Sequence, residues 1–252
     1  MRIAIRQASM TYQSPDGEVE ALRDVSFDVA DGEFVSIVGP SGCGKSTLLS
    51  LIAGLERSSA GEVLLDGEPV TAPSAKIGFM PQRDQLFAWR TIWSNVTLGL
   101  QVRRENTPER QARVRELLEQ YDLADFAQKL PAQLSGGMRQ RCALIRTLAT
   151  EPAILLLDEP FSALDYQTRL AVSADISRII RQEHKTAVLV THDISEAISM
   201  SDRIVVLTHR PGTVRAIHDL RQFRALSPLE RRGTPEFQTV FNQIWEELDV
   251  NV

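Results

Sequence analysis

The residue types best suited to chemistry sit together at 39–47, in the string GPSGCGKST. Gly39, Gly42 and Gly44 permit backbone geometries that a Cβ would crowd, so consecutive N–H groups can turn inward onto a polyphosphate at a helix N-terminus. Pro40, Ser41 and Cys43 complete the turn. Lys45 supplies a mobile positive charge with the reach to meet β- and γ-phosphates. The hydroxyl of Ser46, with Thr47 beside it, is placed to ligate Mg²⁺, as the pattern G-x-x-x-x-G-K-[ST] requires. The run Phe34-Val35-Ser36-Ile37-Val38 before this string and the helix-like stretch 46–53 after it give the strand-loop-helix context that a chance glycine turn lacks.

Carboxylates that could serve such a site come later. Ala153-Ile154-Leu155-Leu156-Leu157 is a continuous apolar run, suited to a central parallel strand buried on both faces, and it ends in Asp158-Glu159. Open α/β sheets bind ligands at that strand edge. Asp158 there serves the Mg²⁺ shell, and Glu159 polarises a water as general base. The run Ala187-Val188-Leu189-Val190 repeats the pattern and ends at Thr191-His192-Asp193, so His192 is predicted at the ligand edge, within reach of a γ-phosphate. Gln82 follows a predicted strand over 76–80, where its amide oxygen can touch Mg²⁺ or the attacking water. Ser135-Gly136-Gly137, inside LSGGMRQR and ahead of a predicted helix over 142–148, make a second anion-binding helix start or an ordinary serine cap behind loop glycines. Tyr12 either stacks on an adenine ring or is a half-buried strand tyrosine, and the residues alone leave both readings open.

The elements that must position these groups are legible in outline. The chain has 252 residues, 43% of them hydrophobic, enough to bury a core as one large domain or a domain with an insertion. A net charge of -5 argues against a chain-wide footprint for DNA or RNA. Cys43 and Cys142 are the two cysteines, which suits a reducing compartment and supports no cysteine metal site. Apolar stretches such as 51–55 and 154–157 fall far short of the about 20 residues that cross a bilayer, and the N-terminal MRIAIRQASM lacks a signal peptide's apolar centre. Alternation at Ile3-Ala4-Ile5 and over 25–29, with turns at Asp16-Gly17 and Asp31-Gly32, predicts a leading antiparallel β layer. Glu62-Val63-Leu64-Leu65 adds a strand before the Asp66-Gly67 turn. Residues 83–152 change character, with a crowd of apolar and aromatic groups and a helix opened by Thr107-Pro108-Glu109. After 153 come the two buried strands, a hairpin around Arg210-Pro211-Gly212 and a last helix opened by Thr234-Pro235-Glu236 with an apolar stripe.

In their order and spacing these strings resemble the ATPase subunit of an ATP-binding cassette (ABC) transporter over nearly the whole chain. GPSGCGKST resembles the Walker A loop, Gln82 the Q-loop glutamine, LSGGMRQR the signature motif and ILLLDEP the Walker B strand with its catalytic glutamate. Ser162-Ala163-Leu164-Asp165 resembles the D-loop and His192 the switch histidine. The resemblance implies an α/β P-loop NTPase with a parallel-sheet core, an N-terminal antiparallel β layer and an inserted helical subdomain at 83–152, the core being 1–82 and 153–252. It implies ATP and Mg²⁺, Tyr12 as the adenine-stacking residue, and a homodimer in which Ser135, Gly136 and Gly137 complete the partner's ATP site. It implies integral-membrane permease subunits as partners at the cytoplasmic face of the membrane, and indirectly a solute-binding protein. LSGGMRQR, AWRTIWSNV and THRPG are similar to the nitrate, sulfonate and taurine type of importer subunit, although Met138 stands where many members carry glutamine and Ala88 where a proline often precedes the tryptophan. Phe87, Trp89 and Trp93 are then expected to line a groove for a short permease helix, the alternative being that all three pack inside the helical subdomain. An ABC ATPase acting on nucleic acid or the ribosome is the competing class, but its usual second cassette or long coiled-coil insertion is missing. A plain P-loop kinase leaves LSGGMRQR unexplained.

Overall fold

A computed structural model of the chain describes residues 2–15 and 17–249. Asp16, half of the predicted Asp16-Gly17 turn, lies outside the described residues, as do the extreme ends of the 1–252 span. The first part of the chain forms β1 (Ile3–Ser14), β2 (Gly17–Val29), β3 (Phe34–Val38), α1 (Lys45–Ala53), β4 (Ala60–Leu65), β5 (Glu68–Pro69) and β6 (Ile77–Met80). Helices follow: α2 (Ile92–Val96), α3 (Leu98–Arg103), α4 (Pro108–Gln120) and α5 (Gly136–Leu148). The rest alternates, with β7 (Ile154–Asp158), α6 (Tyr166–Gln182), β8 (Thr186–Val190), α7 (Ile194–Met200), β9 (Arg203–Leu207), β10 (Val214–Asp219), α8 (Pro228–Arg232) and α9 (Pro235–Asp249).

Two sheets result among the described residues. A four-stranded antiparallel layer has the order β2-β1-β4-β5, and a six-stranded sheet has the order β10-β9-β3-β8-β7-β6, parallel except for the antiparallel edge strand β10. Successive side chains of a strand face opposite ways, so the apolar runs of β7 and β8 feed two cores at once. Ile154, Leu156, Val188 and Val190 pack towards the β layer and α1, while Leu155, Leu157, Ala187 and Leu189 pack against the helices. Cutting one of these leucines to alanine would cost about 2–5 kcal/mol. The helical stretch shares that second core: Ile92, Val96, Leu117, Leu118 and Ile145 join one cluster with Met80, Leu155 and Leu157.

The structure extends or corrects several local expectations. β1 and β2 run far beyond the short alternating segments 3–5 and 25–29, because bulges interrupt the period: Gln7 and Asp24 both take φ of 47° and the β1–β2 register shifts near them. Helix α5 starts at Gly136, six residues before the predicted 142, with Ser135 as N-cap accepting from Met138 N at 3.3 Å. Its glycines are therefore helical, not loop, residues. A Cβ on Gly137 would stand 2.9 Å from Val172 Cγ2 and 3.0 Å from Thr168 Cγ2, so close packing on α6 demands its absence. Helix α8 is opened by the capping box Ser227-Pro228-Leu229-Glu230, a signal that the sequence reading passed over; its fully buried Arg231 donates to the carbonyls of Phe223, Ile198 and Ser201 and ties α7 to the C-terminal segment.

Candidate active site

Strand β3 is buried throughout and ends in the glycine loop, which enters α1. Gly42 and Gly44 take φ of 74° and 102°, conformations that an L side chain rarely adopts. Gly44 is doubly constrained, since a Cβ there would stand 2.6 Å from Leu22 Cδ2 and 2.8 Å from Ala21 O of β2. Lys45 is buried and its Nζ donates to Gly39 O at 2.8 Å and Pro40 O at 2.9 Å, holding the ammonium against the loop. Ser46 Oγ donates to Asp158 Oδ1 at 3.1 Å, which joins α1 to the end of β7. Burial pushes the Asp158 carboxyl above its ordinary range, with Glu159 adding to the shift while Ser46 and Lys45 oppose it.

Glu159 is a strained residue. Its φ is 43°, its N–H donates to Val190 O at 2.8 Å, and its Oε2 lies 3.1 Å from His192 Nδ1. Gln82 Nε2 donates to the same oxygen at 3.2 Å and approaches Ser162 Oγ at 3.5 Å. The Gln82 nitrogen is thus engaged with Glu159, while its oxygen is the atom that the sequence expected to touch Mg²⁺ or the attacking water. Ser46 and Asp158 form an oxygen donor pair of the kind Mg²⁺ takes together with phosphates and water, so the residues present fit that ion. Among the described residues no group of three or more His, Cys, Asp or Glu could hold a metal.

These groups surround a cavity of about 450 Å³ lined by Tyr12, Val19, Ala21, Ser41, Gly42, Gly44, Lys45, Ser46, Thr47, Gln82, Asp158, Glu159 and Arg210. Three predicted loop residues do not line it. Gly39 and Pro40 present their carbonyls to Lys45, and the Cys43 side chain turns into the core beneath the loop, where burial pushes its thiol up. Tyr12 is part-buried on β1 and also lines the cavity; its hydroxyl donates to Glu56 Oε2 at 2.5 Å and lies 3.3 Å from Thr47 Oγ1. Burial first, then the Glu56 hydrogen bond, raises its pKa and keeps the hydroxyl a donor. Ser135, Gly136 and Gly137 are not among the lining residues. Gly136 abuts the D-loop-like segment instead, where a Cβ on it would meet Leu164 Cδ2 at 3.1 Å, and Gly137 faces Thr168 and Val172 of α6. In that segment Ser162 Oγ donates to Glu159 O at 3.1 Å, Ala163 is exposed, Leu164 is buried, and Asp165 caps α6 by accepting from Thr168 N at 3.0 Å.

The aromatic segment after Gln82 divides. Phe87 and Trp89 pair with ring centroids 5.0 Å apart at the surface, Trp89 being 76% exposed, while Trp93 packs against the helical core with the Arg115 guanidinium 5.1 Å above its ring. Buried Asn95 fixes the segment's backbone, accepting from Phe87 N and donating to the carbonyls of Phe87, Arg90 and Thr91. Arg146 of α5 donates to Asp84 O and Gln85 O, each at 2.8 Å, and so links the segment to the signature helix.

Sequence reasoning missed Val19, Ala21 and Arg210 as cavity residues; the THRPG string gave a hairpin and a likeness to one importer type, but no place for Arg210 in the site. It also missed Glu196, which accepts from Thr191 Oγ1 at 2.8 Å directly behind His192. Burial pushes the Glu196 carboxyl up to about 7, with Asp193 adding and Thr191, Arg169 and His192 opposing.

Comparison with known proteins gives a consistent result. The family profile described as ABC transporter matches residues 22–162. The uncharacterized ABC transporter ATP-binding protein YtlC of Bacillus subtilis is 49% identical over 240 residues, covering 95% of this chain and 92% of that protein. The aliphatic sulfonates import ATP-binding protein SsuB of Bacillus thuringiensis subsp. konkukian is 40% identical over 249 residues, covering 99% and 96%. A solved dimeric structure of the ATP-binding cassette MJ0796, in a post-hydrolysis state bound to ADP and Pi, superposes with a TM-score of 0.73 at 34% identity, covering 87% of this chain and 99% of that one.

Proposed function

The chain belongs to the ABC transporter family as an ATP-hydrolysing, ATP-binding subunit, and from that premise we propose that it powers uptake of a small anionic solute of the nitrate, sulfonate or taurine type. The observation that carries the chemistry is the convergence on one cavity of Lys45, Ser46, Gln82, Asp158 and Glu159, with His192 bound to Glu159. In this reading the loop N–H groups and Lys45 hold the β- and γ-phosphates, Lys45 exchanging the Gly39 and Pro40 carbonyls for phosphate oxygens. Ser46 and Asp158 hold Mg²⁺, which when bound neutralises phosphate charge. Glu159 takes the proton of the attacking water, while His192 and Gln82 fix its carboxylate in place. Tyr12, with Val19 and Ala21, forms the base end.

Support for the dimer lies in the exposed Ser135 cap: it heads a helix start outside its own cavity, suited to the γ-phosphate of a second copy. The D-loop residues Ser162, Ala163, Leu164 and Asp165 then lie along that junction. Residues 83–152 act as the moving helical subdomain, and Phe87 and Trp89 dock a cytoplasmic permease helix, with Trp93 bracing them from within. Solute arrives through a separate binding protein, and the subunit works on the cytoplasmic face of the membrane. SsuB, named for aliphatic sulfonate import, supports the solute class. Growth of a gene deletion decides it: failure on an alkanesulfonate, taurine or nitrate with normal growth on sulfate and ammonium is expected. Unimpaired growth on all three sinks the solute assignment.

A further inference from the structure

Arg210 lies in the THRPG string, to which no binding role was given above, yet its side chain lines the cavity. It is exposed at the turn between β9 and β10, and its guanidinium nitrogen lies 3.4 Å from where a Cβ on Gly42 would stand, over the glycine loop. The turn is anchored. Gly212 N donates to Ala21 O at 2.9 Å, Arg23 N donates to Gly212 O at 3.0 Å, and a Cβ on Gly212 would stand 2.1 Å from Cys43 O. Thr208 closes it from the other side, its Oγ1 accepting from Thr213 N at 3.0 Å and donating to Pro211 O at 3.2 Å. The hairpin backbone is thus seated on both β2 and the phosphate loop.

Its electrostatic setting is unusual. Among the described residues nothing pairs with the Arg210 guanidinium. It shares the cavity with Lys45 and the positive end of α1, an arrangement of like sign that an intervening anion would relieve. The cavity's own acids are engaged elsewhere, Asp158 by Ser46 and Glu159 by Gln82 and His192. We propose that Arg210 is a polyphosphate-binding residue, its guanidinium donating to phosphate oxygens of the bound nucleoside triphosphate as a second cation beside Lys45. A planar fork of donors matches phosphate oxygens in a way that a lone ammonium does not. The C-terminal hairpin thereby reports to the nucleotide site. The inference rests on the cavity being the ATP site, as proposed above.

The test is titration of the purified full-length chain with MgATP and, separately, with adenosine, for wild type, Arg210→Gln, Arg210→Lys and Lys45→Ala. Arg210→Gln is expected to weaken MgATP about 10-fold and adenosine by no measurable factor, with Arg210→Lys recovering part of the loss. The melting temperature without nucleotide should match wild type, because the side chain has no partner to lose. Equal weakening of MgATP and adenosine overturns the proposal, as does wild-type MgATP affinity coupled to a loss of dimer, which would assign Arg210 to the partner contact. If Lys45→Ala loses MgATP and Arg210→Gln does not, the Arg210 assignment falls while the ATP site stands. If neither variant affects MgATP binding, both fall.

Discussion

Two glycine-rich helix starts, one at Gly42 to Lys45 and one at Ser135 to Gly137, read alike as strings and are built for different reasons. In the first, positive φ at Gly42 and Gly44 curls the backbone, and the loop is enclosed by β2, β7 and the hairpin turn to make a cavity from a single chain. In the second, Gly136 and Gly137 are ordinary helical residues whose missing Cβ atoms admit Leu164, Val172 and Thr168. Its serine cap stays exposed. The first draws its cavity walls from one chain, and the second offers free N–H groups that its own chain does not use. Glycine in a motif therefore signals either backbone curvature or close packing, and sequence does not say which.

The largest expected effect tests the phosphate-loop cavity. Glu159→Gln keeps size and hydrogen bonding but removes the base, so turnover should fall roughly 10²-fold or more while ATP binding persists and a dimer accumulates on size exclusion. Near-normal turnover would move the base elsewhere, with His192 the next candidate. Mixing tests the open site: Lys45→Ala disables its own cavity, and Ser135→Arg should disable only the partner's by placing bulk and charge against its γ-phosphate. Each variant alone should be inactive, and exchange between them should restore one intact site per heterodimer. No recovered hydrolysis would mean that the signature serine serves its own chain or that both sites must fire together.

Smaller effects separate the two uses of glycine. Gly44→Ala meets both strain and a backbone carbonyl, so a loss of about 1–3 kcal/mol with failed nucleotide binding is expected. Gly137→Ala presses on the stiff β-branched Val172 and should lower stability by about 1–3 kcal/mol with nucleotide binding retained, whereas Gly136→Ala meets only the flexible tip of Leu164 and should cost less. Denaturant melts with and without ATP would distinguish them, and identical profiles would erase the contrast. The smallest stability change belongs to Trp89→Ala. At 76% exposure it should cost under about 1 kcal/mol, against about 3–5 for a buried tryptophan, while copurification with the permease and transport fall together. A sharp drop in melting temperature with normal assembly would return Trp89 to the core.

The phosphate loop, Asp158-Glu159 and His192 were legible because each follows a run of apolar residues that can only be a buried parallel strand, and such strands deliver their C-terminal residues to one edge. The same logic placed the parallel core, while alternation and turn residues placed the leading β layer. Less was legible where period and conformation part company. The bulges at Gln7 and Asp24 hid most of β1 and β2, and the helical glycines hid the first turns of α5.

What the sequence determined by itself is the set of local devices: curved backbone at a helix start, paired carboxylates, a histidine at the next strand end. Those follow from spacing within a few residues, where sterics and hydrogen bonding act along the chain. Tertiary structure alone decided which groups meet. Gln82 turned its nitrogen to Glu159, Trp93 separated from Phe87 and Trp89, Cys43 faced inward, and Arg210 came to rest over Gly42. None of those contacts has a period or motif, because each joins elements whose relative placement is set by the packing of the shared core, and only the folded chain fixes that geometry.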